Sequence, residues 1–352
     1  MMKVRVGFVL IVCFILIGCQ PKEQRIVAYE DFPEQCELKA ITIELDTAIF
    51  RYPFRMRAQD DKIVVMDLHN ADYYFHLFSY PGFAYVSSFG KRGESPEEML
   101  AAENFRFAGE GGKEIRTLDS SKSRINRLSF SLSRDSLLPA GTIALDKDVL
   151  RPLDFCLYND SVMIIPDFSG ENRFCFVDES GKLLYKQGQI PASDQAALSG
   201  SKPALSQAWR SFVDYNPRRK VLAAVTQLGE VLEIYNFNDQ TQRVIVGPNG
   251  EPEFQEQNGY AIPSGIMGFS DIQVTDNYIY TVFHGQRFKD MPTDPSEFVD
   301  GGQYIYVFDL KGNPVRKYVL DRHINGFFVD EKEQIVYATD VNNDQPLVYF
   351  SL

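Results

Sequence analysis

Short apolar runs recur along the chain, each introduced by a polar turn and several closed by Asp. The copies are Ile63-Val64-Val65-Met66-Asp67, Ile115-Arg116-Thr117-Leu118-Asp119, Val162-Met163-Ile164-Ile165, Val221-Leu222-Ala223-Ala224-Val225, Ile279-Tyr280-Thr281-Val282-Phe283 and Ile335-Val336-Tyr337-Ala338-Thr339-Asp340. Their first residues lie 47 to 59 positions apart, a period that predicts blades or solenoid units. After each copy comes a second strand rich in aromatics (residues 74–78, 125–128, 174–177, 231–235, 304–308 and 347–350). A third follows a turn containing Gly or Asn, as in Asp178-Glu179-Ser180-Gly181 and Asp309-Leu310-Lys311-Gly312, and another apolar run precedes each copy, as at residues 153–158 and 269–274. Four antiparallel strands per unit make a propeller blade.

The sixth unit stops at Leu352, at the end of its third strand, while residues 39–45 form a strand without a unit. An all-β, six-bladed β-propeller of four-stranded blades follows, its last blade closed by the N-terminal strand laid beside residues 347–350. Closure hides the strand edges that an open array would expose. The alternative, an open β array or a sandwich, leaves the spare and missing strands unmatched.

Residues 1–18 have the pattern of a signal peptide: Lys3 and Arg5, then an apolar run over residues 6–17 that is too short to span a bilayer. Leu16-Ile17-Gly18-Cys19 resembles the lipobox of bacterial lipoproteins. The resemblance implies a lipidated Cys19 that holds the protein to a membrane. Residues 19–36 then read as the lipidated Cys and a flexible tether, and residues 37–352 as the propeller. Gln20 in place of Asp after the Cys directs a lipoprotein to the outer membrane by the sorting habits of that class. Periplasmic and surface-exposed orientations both stay open.

The net charge of −12 becomes −14 once Lys3 and Arg5 leave with the signal segment, which argues against a basic face for nucleic acid. Cys36, Cys156 and Cys175 remain, an odd number. Cys156 and Cys175 fall in apolar strands with a whole strand between them, so their Cα atoms stand about 10 Å apart, too far for a disulfide.

Phe89-Gly90-Lys91-Arg92-Gly93-Glu94-Ser95-Pro96-Glu97-Glu98-Met99 is similar to the F-G-x-x-G-x-G-P-x-E-F stretch of TolB-like six-bladed propeller lipoproteins, whose blades are related to NHL repeats. Residues 246–254 hold a degenerate second copy; Ser95 stands where the family has Gly, and Met99 where it has an aromatic. The resemblance implies fold and export route, not an activity.

In such blades the second-to-third and blade-to-blade connections emerge on one face. The long insertions, residues 90–104, 188–211, 247–268 and 284–302, all belong to that set, and loops gathered on one rim of a rigid scaffold are where ligands bind. Within them Lys91, Arg92, Trp209, Arg210, Tyr260, His284, Arg287 and Phe288 combine aromatic faces with charged donors suited to a polyol or peptide. Trp209 also reads as a packing anchor for its loop, and His284 as a strand cap. Arg218-Arg219-Lys220 reads as a solvated turn. Asp340-Val341-Asn342-Asn343-Asp344 has the alternating oxygens of a calcium loop, but Gln345 and Ser351 replace the Gly and Glu such a loop needs.

None of the G-x-S-x-G, H-E-x-x-H, C-x-x-C or phosphate-loop motifs occurs, and the four histidines are scattered. Asp46-Thr47-Ala48, Asp135-Ser136-Leu137 and Asp160-Ser161-Val162 resemble short O-glycosylation triplets. Two functions remain. One is a membrane-anchored binding or scaffold module that recognises a protein partner, glycan or peptide through the long-loop face, without a cofactor. The other is a hydrolase or lyase with a divalent metal at the axial opening, held by carboxylates and His from several blades.

Overall fold

In the computed structural model, which describes residues 23–45, 49–133 and 135–352, every recurring apolar run forms the second strand of a blade. Its unbroken hydrophobicity follows from burial on both faces: Ile63, Val64, Val65 and Met66 are all fully enclosed between neighbouring sheets. The expectations for residues 1–18, for Cys19 and for the triplet at Asp46 lie outside the described residues.

Three short strands come first: β1 (Glu23–Ala28), β2 (Glu34–Leu38) and β3 (Ile41–Thr42). Blade 1 is β4 (Pro53–Gln59), β5 (Lys62–Asp67), β6 (Tyr73–Ser79) and β7 (Tyr85–Lys91). Blade 2 is β8 (Asn104–Ala108), β9 (Glu114–Asp119), β10 (Arg124–Phe130) and β11 (Leu137–Ala144). Blade 3 is β12 (Cys156–Asn159), β13 (Val162–Pro166), β14 (Phe174–Asp178) and β15 (Leu183–Gln187), followed by helices α1 (Gln195–Ser199) and α2 (Lys202–Ala208). Blade 4 is β16 (Ser211–Asn216), β17 (Val221–Thr226), β18 (Val231–Asn236) and β19 (Thr241–Val246), and the hairpin β20 (Phe254–Gln257) and β21 (Tyr260–Pro263) follows it. Blade 5 is β22 (Phe269–Val274), β23 (Tyr278–Phe283), β24 (Gly302–Asp309) and β25 (Pro314–Ile324); blade 6 is β26 (Phe327–Asp330), β27 (Ile335–Thr339) and β28 (Leu347–Ser351).

The spare strand closes the ring as expected: Thr42 pairs with Val348 and Ile41 with Tyr349, antiparallel. Each gap between adjacent blades holds its own apolar cluster. Met56, Ile63 and Phe78 of blade 1, for example, pack with Tyr337 and Leu347 of blade 6. Cys156 and Cys175 are buried free thiols with β13 between them, as their spacing required.

The Gly-bearing turns before the outer strands repeat one device. Asp178 accepts backbone N–H bonds from Ser180 (2.8 Å) and Lys182 (3.0 Å), and Asp309 does the same for Lys311 (2.8 Å) and Asn313 (2.9 Å). Gly181 (φ +89°) and Gly312 (φ +84°) lie against the preceding blade, where a Cβ would collide with the Ala144 carbonyl or the Ile245 side chain.

Residues 19–36 are not a free tether in their described part. β1 pairs in parallel with β19 at the outer edge of blade 4, and β2 in parallel with β25 at the outer edge of blade 5. Between them Phe32 is buried against Tyr306 and Phe308, and Tyr29 donates a 2.5 Å hydrogen bond to Glu230. The segment therefore forms a belt over blades 4 and 5, which β3 continues onto blade 6. Its polar composition misled because an outermost strand is solvated: Ile26 in β1 is half exposed.

Candidate functional site

The first strands that face the axis of the ring carry paired charge. Arg55 and Arg57 of β4 both bind Asp271 of β22; the Arg57 nitrogens lie 2.7 and 2.8 Å from its two oxygens. Blade 6 separates blades 1 and 5 around the ring, so these contacts cross its centre. Arg106 of blade 2 likewise donates to the Val213 carbonyl of blade 4 at 2.7 Å. The aspartates also staple neighbours together. Asp154 accepts from the Asn104 side chain and from Val213 N–H (2.9 Å), Asp214 from Val274 N–H (2.7 Å), and Asp271 from Phe327 N–H (3.2 Å). Burial pushes the Asp271 carboxyl up, but Arg57 and Arg55 outweigh it and hold the pKa below its ordinary value. Asp214 lacks a bonded arginine, and burial pushes its pKa up. Carboxylates engaged in this way are poor metal ligands. Among the described residues no group of three or more His, Cys, Asp or Glu is placed to hold a metal ion.

The Asp that ends several second strands is structural. Asp67 is fully buried and accepts backbone bonds from Arg51 (2.6 Å), Tyr52 (2.9 Å), His69 (3.0 Å) and Asn70 (3.0 Å), fixing the chain that enters blade 1. Asp340, in the calcium-like loop, accepts from Asn342 N–H at 3.0 Å and faces Arg322 at 3.7 Å, a self-satisfied turn. At the corresponding places blades 4 and 5 carry Thr226 and His284, and the largest insertions gather there.

The loops of residues 188–210 and 247–268 enclose a cleft of about 650 Å³. Trp209, Val246 and Phe254 line it together with Asp194, Glu251, Glu253 and Glu256, and no Lys, Arg or His does so among the described residues. Its first wall is built locally: Ser201 caps α2 by accepting from Ala204 N–H, Pro203 sits in the first turn, and Trp209 N–H closes the helix on the Leu205 carbonyl at 3.0 Å. Beneath it the buried pair Arg173–Glu233 (2.6 Å) donates to the Trp209 carbonyl at 3.1 Å through Arg173. The second loop is tied to the first because Glu251 accepts from Ser193 N–H at 2.9 Å and Glu256 from Ser201 N–H at 3.3 Å.

The structure distributes the residues expected to bind ligand over three places. Trp209 is buried at the base of the cleft, Arg210 lies 3.7 Å from Glu103, and Tyr260 is exposed on the β20–β21 hairpin beside α2. Arg287 and Phe288 adjoin the same loop, through an Arg287–Ile266 bridge and a Phe288 N–H bond to the Gly265 carbonyl. His284 lines a separate cavity of about 400 Å³ with His323, Tyr304 and Glu297; burial lowers its pKa, with Asp300 opposing. Lys91 and Arg92 stand apart on blade 1. Lys91 pairs with Glu98 at 2.7 Å, and Arg92 stacks 3.8 Å over the Tyr74 ring and donates to the Leu68 carbonyl. The cleft carboxylates were not foreseen. They are ordinary loop acids in sequence, and only the approach of two insertions makes them neighbours.

A comparison with curated protein sequences gives no match. Among solved structures, a member of the duf4221 family from Bacteroides vulgatus superposes with a TM-score of 0.60 at 13% identity, covering 90% of this chain and 98% of that one. An exported-protein candidate of Bacteroides fragilis gives 0.55 at 12% identity (92% and 98%), and an auxiliary nutrient binding protein of Bacteroides ovatus 0.52 at 10% (86% and 70%). At these identities the likeness is one of fold. The profile of TolB-like 6-blade propeller-like proteins matches residues 31–332, so the ring of six sheets and its family agree, and the chain belongs to the TolB-like 6-blade propeller-like family.

Proposed function

We propose that the protein is a lipid-anchored, extracytoplasmic binding module that holds a neutral glycan or a basic peptide segment, free or part of a partner protein, in the cleft between residues 188–210 and 247–268. One observation carries this reading: a cleft of about 650 Å³ with an aromatic base and the carboxylates of Glu251, Glu253 and Glu256 on its wall, with no Lys, Arg or His among its described lining residues. That volume falls within the range of ligand sites, and carboxylates accept hydrogen bonds from sugar hydroxyls or from Lys and Arg side chains. Export rests on the signal pattern, anchoring on the lipobox at Cys19, and outer-membrane placement on Gln20. The fold shared with a nutrient binding protein of Bacteroides ovatus is in keeping with such a role.

Retention of purified protein on arrays of neutral glycans and basic peptides tests it, followed by calorimetry. A bound ligand whose affinity falls about tenfold or more in Glu253→Gln/Glu256→Gln supports the reading. No retention on either array, or binding indifferent to both substitutions, overturns it.

A further inference from the structure

From the register of β1 and the charge of one turn, we infer that the short-turn face of blade 4 rests on anionic lipid headgroups, so that the cleft opens away from the membrane. This rests on the lipidation of Cys19 proposed above. Glu23 pairs with Thr241, the first residue of β19, and Ala28 with Val246, its last. β19 starts from the short turn at residues 237–240 and ends in the long insertion at residues 247–268, so β1 begins on the short-turn face. Four residue steps separate Cys19 from Glu23, a reach of at most about 14 Å. A six-residue strand is about 20 Å long, so a bilayer at Cys19 lies against the short-turn face and leaves the opposite rim clear.

The charge of that face agrees. Every other turn between first and second strands carries an acid: Asp60 and Asp61, Glu110, Asp160, Asp276, and Glu331 with Glu333. Blade 4 has Pro217-Arg218-Arg219-Lys220 instead, all exposed. Arg218 reaches Asp276 at 2.7 Å and Arg219 Nε donates to the Asp276 carbonyl, which hold the run in place; Lys220 makes no such contact to Asp276. Asn238 ties the turn to the one that starts β19, donating to the Arg219 carbonyl at 2.8 Å. A concentrated basic turn in a chain of net charge −12, beside the strand nearest the anchor, is matched to headgroup phosphate.

The test uses full-length acylated protein in phosphatidylglycerol/phosphatidylethanolamine vesicles, with Cys36→Ser as background. A donor dye is placed at Lys311→Cys on the short-turn face or at Gln257→Cys on the long-loop face, with an acceptor on the lipid headgroups. Strong transfer from position 311 and weak transfer from 257 is expected, and replacing Arg218, Arg219 and Lys220 by Gln lowers that contrast. Equal transfer, or transfer stronger from 257, overturns the orientation. Contrast unchanged in the triple variant removes the basic turn from it. Detergent-phase partitioning of wild type against Cys19→Ser separates the two readings: if the wild type stays in the aqueous phase, the anchor itself fails; if it partitions but the dye signals are reversed, only the orientation does.

Discussion

The axis and the cleft are both rich in carboxylates, and they use them in different ways. At the axis Asp154, Asp214 and Asp271 face Arg55, Arg57 and Arg106, are buried or nearly so, and spend their lone pairs on the next blade. In the cleft Glu251, Glu253 and Glu256 line an open wall that holds no Lys, Arg or His among its described residues. A removed axial charge strands its partner in a low-dielectric interior, whereas a removed cleft charge is replaced by water. Carboxylates at the axis therefore hold the ring together, whereas Glu251 and Glu256 in the cleft each take a backbone N–H of the facing loop and meet no arginine or lysine on the described wall.

The sharpest way to break this contrast is Asp271→Ala, which leaves Arg55 and Arg57 buried without their counter-charge. A loss of about 3–5 kcal/mol in denaturant unfolding is expected, and a loss below about 1 would remove the axial network as a stabiliser. The pH dependence carries the same sign. Because Asp271 is held below its ordinary pKa, its contribution is complete above about pH 4 and is lost as the pH falls through its folded value, so the variant has the flatter acid limb. Trp209→Ala comes next. A buried indole under the cleft costs about 3 kcal/mol, and protease cutting within residues 188–210 should accompany it if the base holds that loop. Glu251→Ala, which frees Ser193 N–H, should cost about 1 kcal/mol and loosen the two loops, read by hydrogen exchange at Ser193. Smallest is Glu253→Gln/Glu256→Gln, expected within about 0.5 kcal/mol of wild type in the same unfolding experiment. A large destabilisation there would make these acids structural like those at the axis.

The blades were legible because their strands are buried on both faces, so runs such as residues 63–66 announce themselves without neighbours. The Asp-x-x-Gly turns were legible for a similar reason, since Asp178 and Asp309 bond to their own backbone. The belt was not. β1 and β2 are solvated edge strands whose partners lie more than 200 residues away, and locally their polar residues look like a linker. Trp209 and His284 were visible as unusual residues, but only packing placed the indole at the base of one cleft and the imidazole in another cavity.

Local hydrophobic period determined the number of blades, the order of their strands and the one face that gathers the long insertions, because each depends on contacts between segments close in the chain. Tertiary structure alone decided which charges neutralise each other across the axis and which acids share an open wall. Those pairings join residues from different blades, brought together only when the ring closes.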